Sequence, residues 1–107
     1  MTDNAQEQLQ RLQMLDQAVQ QLVAQKQQFQ SQLFELESAL KEIATTPAAY
    51  KIIGSIMVAS DKDSMKKELE QKKEIVELRI KTVEKQESQM QEKLKQLQEE
   101  VVKKLKK

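Results

Sequence analysis

Ala49-Tyr50-Lys51-Ile52-Ile53-Gly54-Ser55-Ile56-Met57-Val58-Ala59 is the stretch on which the fold turns. It holds the only glycine of the chain, with β-branched and apolar residues on both sides of it. Gly followed by Ser suits the two central positions of a type II′ turn, so the segment 49–59 is predicted to be a β-hairpin. A two-residue turn sends the chain back antiparallel. Whatever precedes residue 49 should therefore lie beside whatever follows residue 59. An isolated two-stranded ribbon is marginal in water, and this one is apolar on both faces at Ile52, Ile53, Ile56, Met57 and Val58. Its two edges are unpaired, and Lys51 is the one residue placed to guard an edge. The simplest solution is that hairpins of several subunits join into a shared sheet or barrel. The plainer alternative is a local cap on its own helices, which offer little apolar surface to cover two faces.

Outward from the hairpin the apolar period changes from two to seven. On the N-terminal side, seam positions fall at Ala5, Gln8, Leu12, Leu15, Val19, Leu22, Lys26, Phe29, Leu33, Leu36, Leu40 and Ile43, and ten of the twelve are apolar. A seam sustained that long marks a coiled coil, because each such side chain needs a hole on a neighbouring helix. The helix 5–45 ends at Thr45-Thr46-Pro47, since the residue before a proline is pushed out of the helical region. On the C-terminal side, a helix 63–105 carries a weaker seam at Leu69, Val76, Ile80, Val83, Met90, Leu94, Leu97 and Val101, interrupted by Lys66, Lys73, Glu87 and Lys104. Met65, Ile75, Leu78, Val102 and Leu105 are expected to back it from the flanks. Ser60 with Asp63 matches a capping box, with Asp61 as the alternative cap. Two helices of roughly 40 residues, about 60 Å long at 1.5 Å per residue, should then pair where residue numbers total about 108. This sets Ala5 near Lys103 and Ile43 near Met65.

Composition excludes much of the rest. The chain has 107 residues, 33% charged and 3% aromatic, with one Gly, one Pro and neither Cys nor His. This is too little aromatic bulk for a thick private core, and too little Gly and Pro for a typical disordered chain. Without Cys or His there is no thiol nucleophile, disulfide, imidazole acid or base, or zinc site of the usual kind. The carboxylates recur on solvated helix faces beside lysines, outside any closed pocket, so neither an enzyme nor a cofactor site is expected. Nucleic acid is an unpromising partner too: acids nearly cancel the lysines of the second helix, Arg occurs twice in the chain, and the second helix has no aromatics for stacking. The first residues lack the basic and apolar regions of a signal peptide, and no run approaches a membrane span. A soluble, cytoplasmic protein is the expectation. The fold class is thus all-α dominated: a long antiparallel two-helix coiled coil joined by a single β-hairpin that assembles with other subunits into a shared sheet or β-barrel.

Helix, short linker, Tyr50-Lys51-x-x-Gly54-x-Ile56-x-Val58 hairpin and equal second helix together closely resemble the β-class subunits of the prefoldin family of archaeal and eukaryotic co-chaperones. The resemblance covers essentially the whole chain, 1–107, as one domain, and is reinforced by the Gln-rich first helix and by Lys85-Gln86-Glu87. The family's α class carries a second hairpin, which is lacking here, and that assigns the β class. The resemblance implies a hexamer of two α-class and four β-class subunits with a double β-barrel body built from hairpins, Tyr50, Ile52, Ile53, Gly54, Ile56, Met57 and Val58 among them. It also implies ATP-independent binding of unfolded polypeptides at the coiled-coil tips and their transfer to a group II chaperonin.

With both chain ends at one tip, Leu9, Met14, Val102 and Leu105 are the candidate client contacts, joined by Met1, with methionine an adaptable partner for varied sequences. Leu9 and Leu105 can equally serve to widen the seam. Gln supplies 12 of the first 32 residues, either as an adaptable soluble surface or as a plain solvated face of good helix formers. Residues 1–50 carry 3 basic and 6 acidic groups, whereas 51–107 carry 15 and 11. Lys103, Lys104, Lys106 and Lys107 either oppose the helix dipole or dock on an acidic chaperonin surface. Lys26, in the seam, either snorkels to water or sets register. The rival function is a homo-oligomeric coiled-coil scaffold or tether with no client-holding activity.

Overall fold

A computed structural model describes the backbone of residues 2–105 and the side chains of residues 5–104. Its elements run α1 (Thr2–Thr45), β1 (Ala49–Ile53), β2 (Ile56–Ser60) and α2 (Lys62–Leu105). The α1 sequence is rich in Gln, Leu, Ala and Glu, which lose little rotamer freedom in a helix, so it has no internal reason to break before Pro47. At its end the Glu42 carbonyl accepts the Thr46 N–H at 3.0 Å and both threonine hydroxyls, from Thr45 at 3.2 Å and from Thr46 at 2.6 Å. The α2 start differs from the capping box expected at Ser60. Ser60 stays in the sheet opposite Ala49, and Asp61 makes the transition into the helix. The Asp61 carbonyl takes the Met65 N–H at 3.0 Å, and its carboxylate accepts the Ser64 hydroxyl at 3.0 Å. Asp63 then places an acid in the first turn, where the helix dipole favours it.

The strands pair antiparallel, with Ile53 opposite Ile56, Ile52 opposite Met57, Lys51 opposite Val58, and Tyr50 opposite Ala59. Gly54 has φ +62° and, among the described residues, no other residue has positive φ. That combination is type II′ rather than I′, as the Gly-Ser dipeptide requires.

Two compact units make up the chain: a terminal unit of residues 1–27 and 81–107, and a hairpin unit of residues 28–80. Within the terminal unit, Val19, Val83 and Val101 are buried; within the hairpin unit, Ile43, Val76 and Ile80 are. Every one of the twelve α1 seam positions is buried or half-buried. On α2 the seam holds except at Lys66 and Lys104, which are exposed. The flanking residues depart from expectation. Met65 is half-buried, but Ile75, Leu78 and Val102 are exposed, because a single facing helix shields only a narrow stripe. The side chain of Leu105 lies outside the described residues. Cross-seam contacts follow the expected antiparallel pairing to within a few residues. Arg79 sits over the Phe29 ring, 6.0 Å from its centroid, and Lys73 approaches Glu37 at 3.9 Å, both in the hairpin unit.

Candidate interaction surfaces at the hairpin and the chain ends

Strand alternation sorts the hairpin residues onto two faces. Ile52, Met57, Tyr50 and Ala59 share one; Ile53, Ile56, Lys51, Val58, Ala49 and Ser60 share the other. The first face is open, with Ile52 69% and Met57 66% exposed. The second is partly screened near its base, where Ala49 and Ser60 are half-buried. There Lys51 leaves the edge it was expected to guard. Its ammonium hydrogen-bonds both oxygens of the Glu68 carboxylate on α2 at 3.2 Å, and Lys72 adds a contact at 3.4 Å. The Lys51 hydrogen bond and charge, followed by those of Lys72, hold the Glu68 carboxyl below its ordinary range. Even so, Ile53, Ile56 and Val58 remain exposed. A ribbon with six large exposed apolar or aromatic side chains and two free edges is an assembly surface in physical terms.

In the terminal unit, Leu9, Met14 and Val102 are exposed, as are Lys103 and Lys104. Met1, Lys106 and Lys107 lie outside the described residues. Beside these, Gln21, Gln25, Gln86 and Gln89 wall a shallow groove whose floor includes Leu22 and Met90. This puts part of the Gln-rich sequence against apolar surface. Gln8 occupies its seam position with its side-chain oxygen enclosed and without a hydrogen-bond donor. Lys26 does not reach out to water. It crosses the seam, and its ammonium donates to Glu87 Oε2 at 2.9 Å, with Glu87 the more enclosed partner. That hydrogen bond and the attraction of Glu87 and Glu84 raise the Lys26 pKa, outweighing desolvation.

Phe34 is an exposed residue that the heptad reading passed over; at 71% it is the most open large apolar side chain described. The signal was present in the sequence, since Phe34 directly follows seam residue Leu33 and so points away from the seam. Among the described residues no group of three or more acidic, Cys or His side chains could hold a metal ion, and no helix is long and apolar enough to cross a membrane.

Comparison with known proteins agrees with this architecture. A family model described as prefoldin subunit matches residues 6–107. The chain is 41% identical over 99 residues to the prefoldin subunit beta of Methanothrix thermoacetophila, covering 90% of this chain and 82% of that one. It is 39% identical over 99 residues to the prefoldin subunit beta of Sulfurisphaera tokodaii, covering 90% and 79%. The crystal structure of the prefoldin beta subunit from Thermococcus strain KS-1 superposes with a TM-score of 0.90 at 36% identity, over 97% of this chain and 94% of that one. One hairpin between two long helices, matched along nearly the whole length by β subunits, places this chain in the prefoldin family as a β-class subunit of the archaeal type.

Proposed function

We propose that this chain is one of four β-class subunits that join two α-class subunits in a cytoplasmic hexameric chaperone, each chain contributing one prefoldin-like domain. The complex holds unfolded polypeptides without ATP and hands them to a group II chaperonin. The observation that carries the reading is the hairpin, whose apolar residues Ile52, Ile53, Ile56, Met57 and Val58 are all exposed in the single chain. Burying both faces and pairing both edges needs further hairpins, which the barrel body supplies.

The client site is assigned to the chain ends, where Leu9, Met14 and Val102 are exposed, with Leu105 as a further candidate. These side chains offer apolar contact that the seam does not consume, and Gln and Met tolerate varied sequences. Lys103 and Lys104, with Lys106 and Lys107, would meet an acidic chaperonin surface, an attraction that weakens as salt screens it. Changing these four lysines to Gln is expected to weaken chaperonin binding at low salt; unchanged binding would remove that assignment.

The deciding experiment mixes the chain with an α-class partner and follows aggregation of a denatured protein without nucleotide. Suppression is expected, with loss on trimming residues 1–10 and 101–107 while the hexamer stays intact. No effect of trimming moves the client site elsewhere. An intact assembly that never suppresses aggregation is the outcome of the scaffold reading.

A further inference from the structure

Two of the polar interruptions in the seams, Lys26 on α1 and Glu87 on α2, face each other. Their 2.9 Å ion pair is the closest among the described residues, and its side chains are only 25% and 14% exposed. Each is harmless against the other and costly against the apolar residues that fill most of both seams. If the helices slipped by one heptad in one direction, Lys26 would meet Leu94 and Glu87 would meet Leu33. In the other direction the neighbours would be Ile80 and Val19. Pairing like with like in parallel would set Lys26 against Lys26, or Glu87 against Glu87. The remaining seam discriminates poorly among these options, because Leu, Val and Ile recur at heptad spacing along both helices.

We propose that the Lys26–Glu87 pair is a register and partner selector: it admits antiparallel α1–α2 pairing in the observed register and penalises slipped pairing and parallel like-with-like pairing. The two-residue turn already restrains slip within a chain. The selector therefore matters most between chains, when several copies with near-equivalent helices meet at high local concentration during assembly. Its stabilising role is secondary, since an apolar pair would fill the same seam positions without desolvating two charges.

The test compares the full chain with two paired variants, each refolded from denaturant and analysed by native mass spectrometry and thermal unfolding. Lys26→Leu with Glu87→Leu is expected to keep or raise the midpoint temperature while the fraction in off-size species rises several-fold. Lys26→Glu with Glu87→Lys restores opposite charges at the same two positions, and its species distribution should match that of the unaltered chain. Should the apolar variant fail to fold, the single reversals decide: each alone must broaden the distribution, and the two together must restore it. A Leu/Leu chain as uniform as the unaltered one, or a reversed pair no more uniform than the single reversals, overturns the proposal.

Discussion

Gly54 sits at φ +62°, a region closed to β-branched side chains without strain. A Cβ at that position would meet no neighbour within 4 Å, so the cost of substitution is conformational rather than steric. Gly54→Val should destabilise the hairpin by about 1–3 kcal/mol, read as a loss of assembly with the α-class partner at unchanged helical circular dichroism. Titration at two other residues has opposite signs. Glu68 has its folded pKa depressed by Lys51, so its contribution is present above the ordinary carboxylate value of 4.5 and is lost as pH falls through the depressed one. Lys26 has its folded pKa raised, so its contribution is present below 10.5 and disappears as pH climbs through the raised value. Thermal midpoints should therefore fall at both ends of the pH range. Glu68→Gln flattens the acid limb and Lys26→Met the alkaline one. Gln8 carries an enclosed acceptor without a donor, so Gln8→Leu is expected to raise stability by about 1 kcal/mol.

Among the elements, the helices rest on a narrow stripe of seam residues. Ile43 is 6% exposed, and no described side chain is fully enclosed, so the seam has little depth to resist collapse around a deletion. Ile43→Ala is expected to cost toward the lower end of about 2–5 kcal/mol, measured by chemical denaturation of the assembled protein. The α2 start depends on Asp61, whose carbonyl and carboxylate both take bonds from the first turn. Asp61→Ala should cost about 1 kcal/mol, whereas Ser60→Ala, which leaves the helix start alone, should be close to neutral. Both helices were legible in the sequence because a seven-residue apolar repeat and a proline stop are local signals. The choice between Ser60 and Asp61 was not, because it depends on how far the strand ladder extends opposite Ala49.

For the whole molecule, what the chain can do is set by apolar surface that it cannot cover itself. Ile52 and Met57 lie opposite each other on the open hairpin face. Ile52→Asp with Met57→Asp should abolish assembly with an α-class partner by light scattering while leaving the helical signal intact, because neither residue contributes to a seam. The candidate site was only partly legible. The hairpin residues and the exposed Leu9 and Met14 follow from pattern; the Gln-walled groove around Leu22 and Met90 does not, because it exists only where the two helices run side by side.

Periodicity and covalent geometry are properties of the chain, and they alone determined the two helices, the Gly54-Ser55 turn, the antiparallel return and the residues that form each seam. Tertiary structure decided the rest. A seam repeat says which side of a helix faces a partner but not how wide a strip that partner covers, so only packing showed Ile75, Leu78 and Val102 to be open. Long charged side chains reach residues far away in sequence, so only the folded chain could join Lys51 to Glu68 and turn Lys26 inward to Glu87.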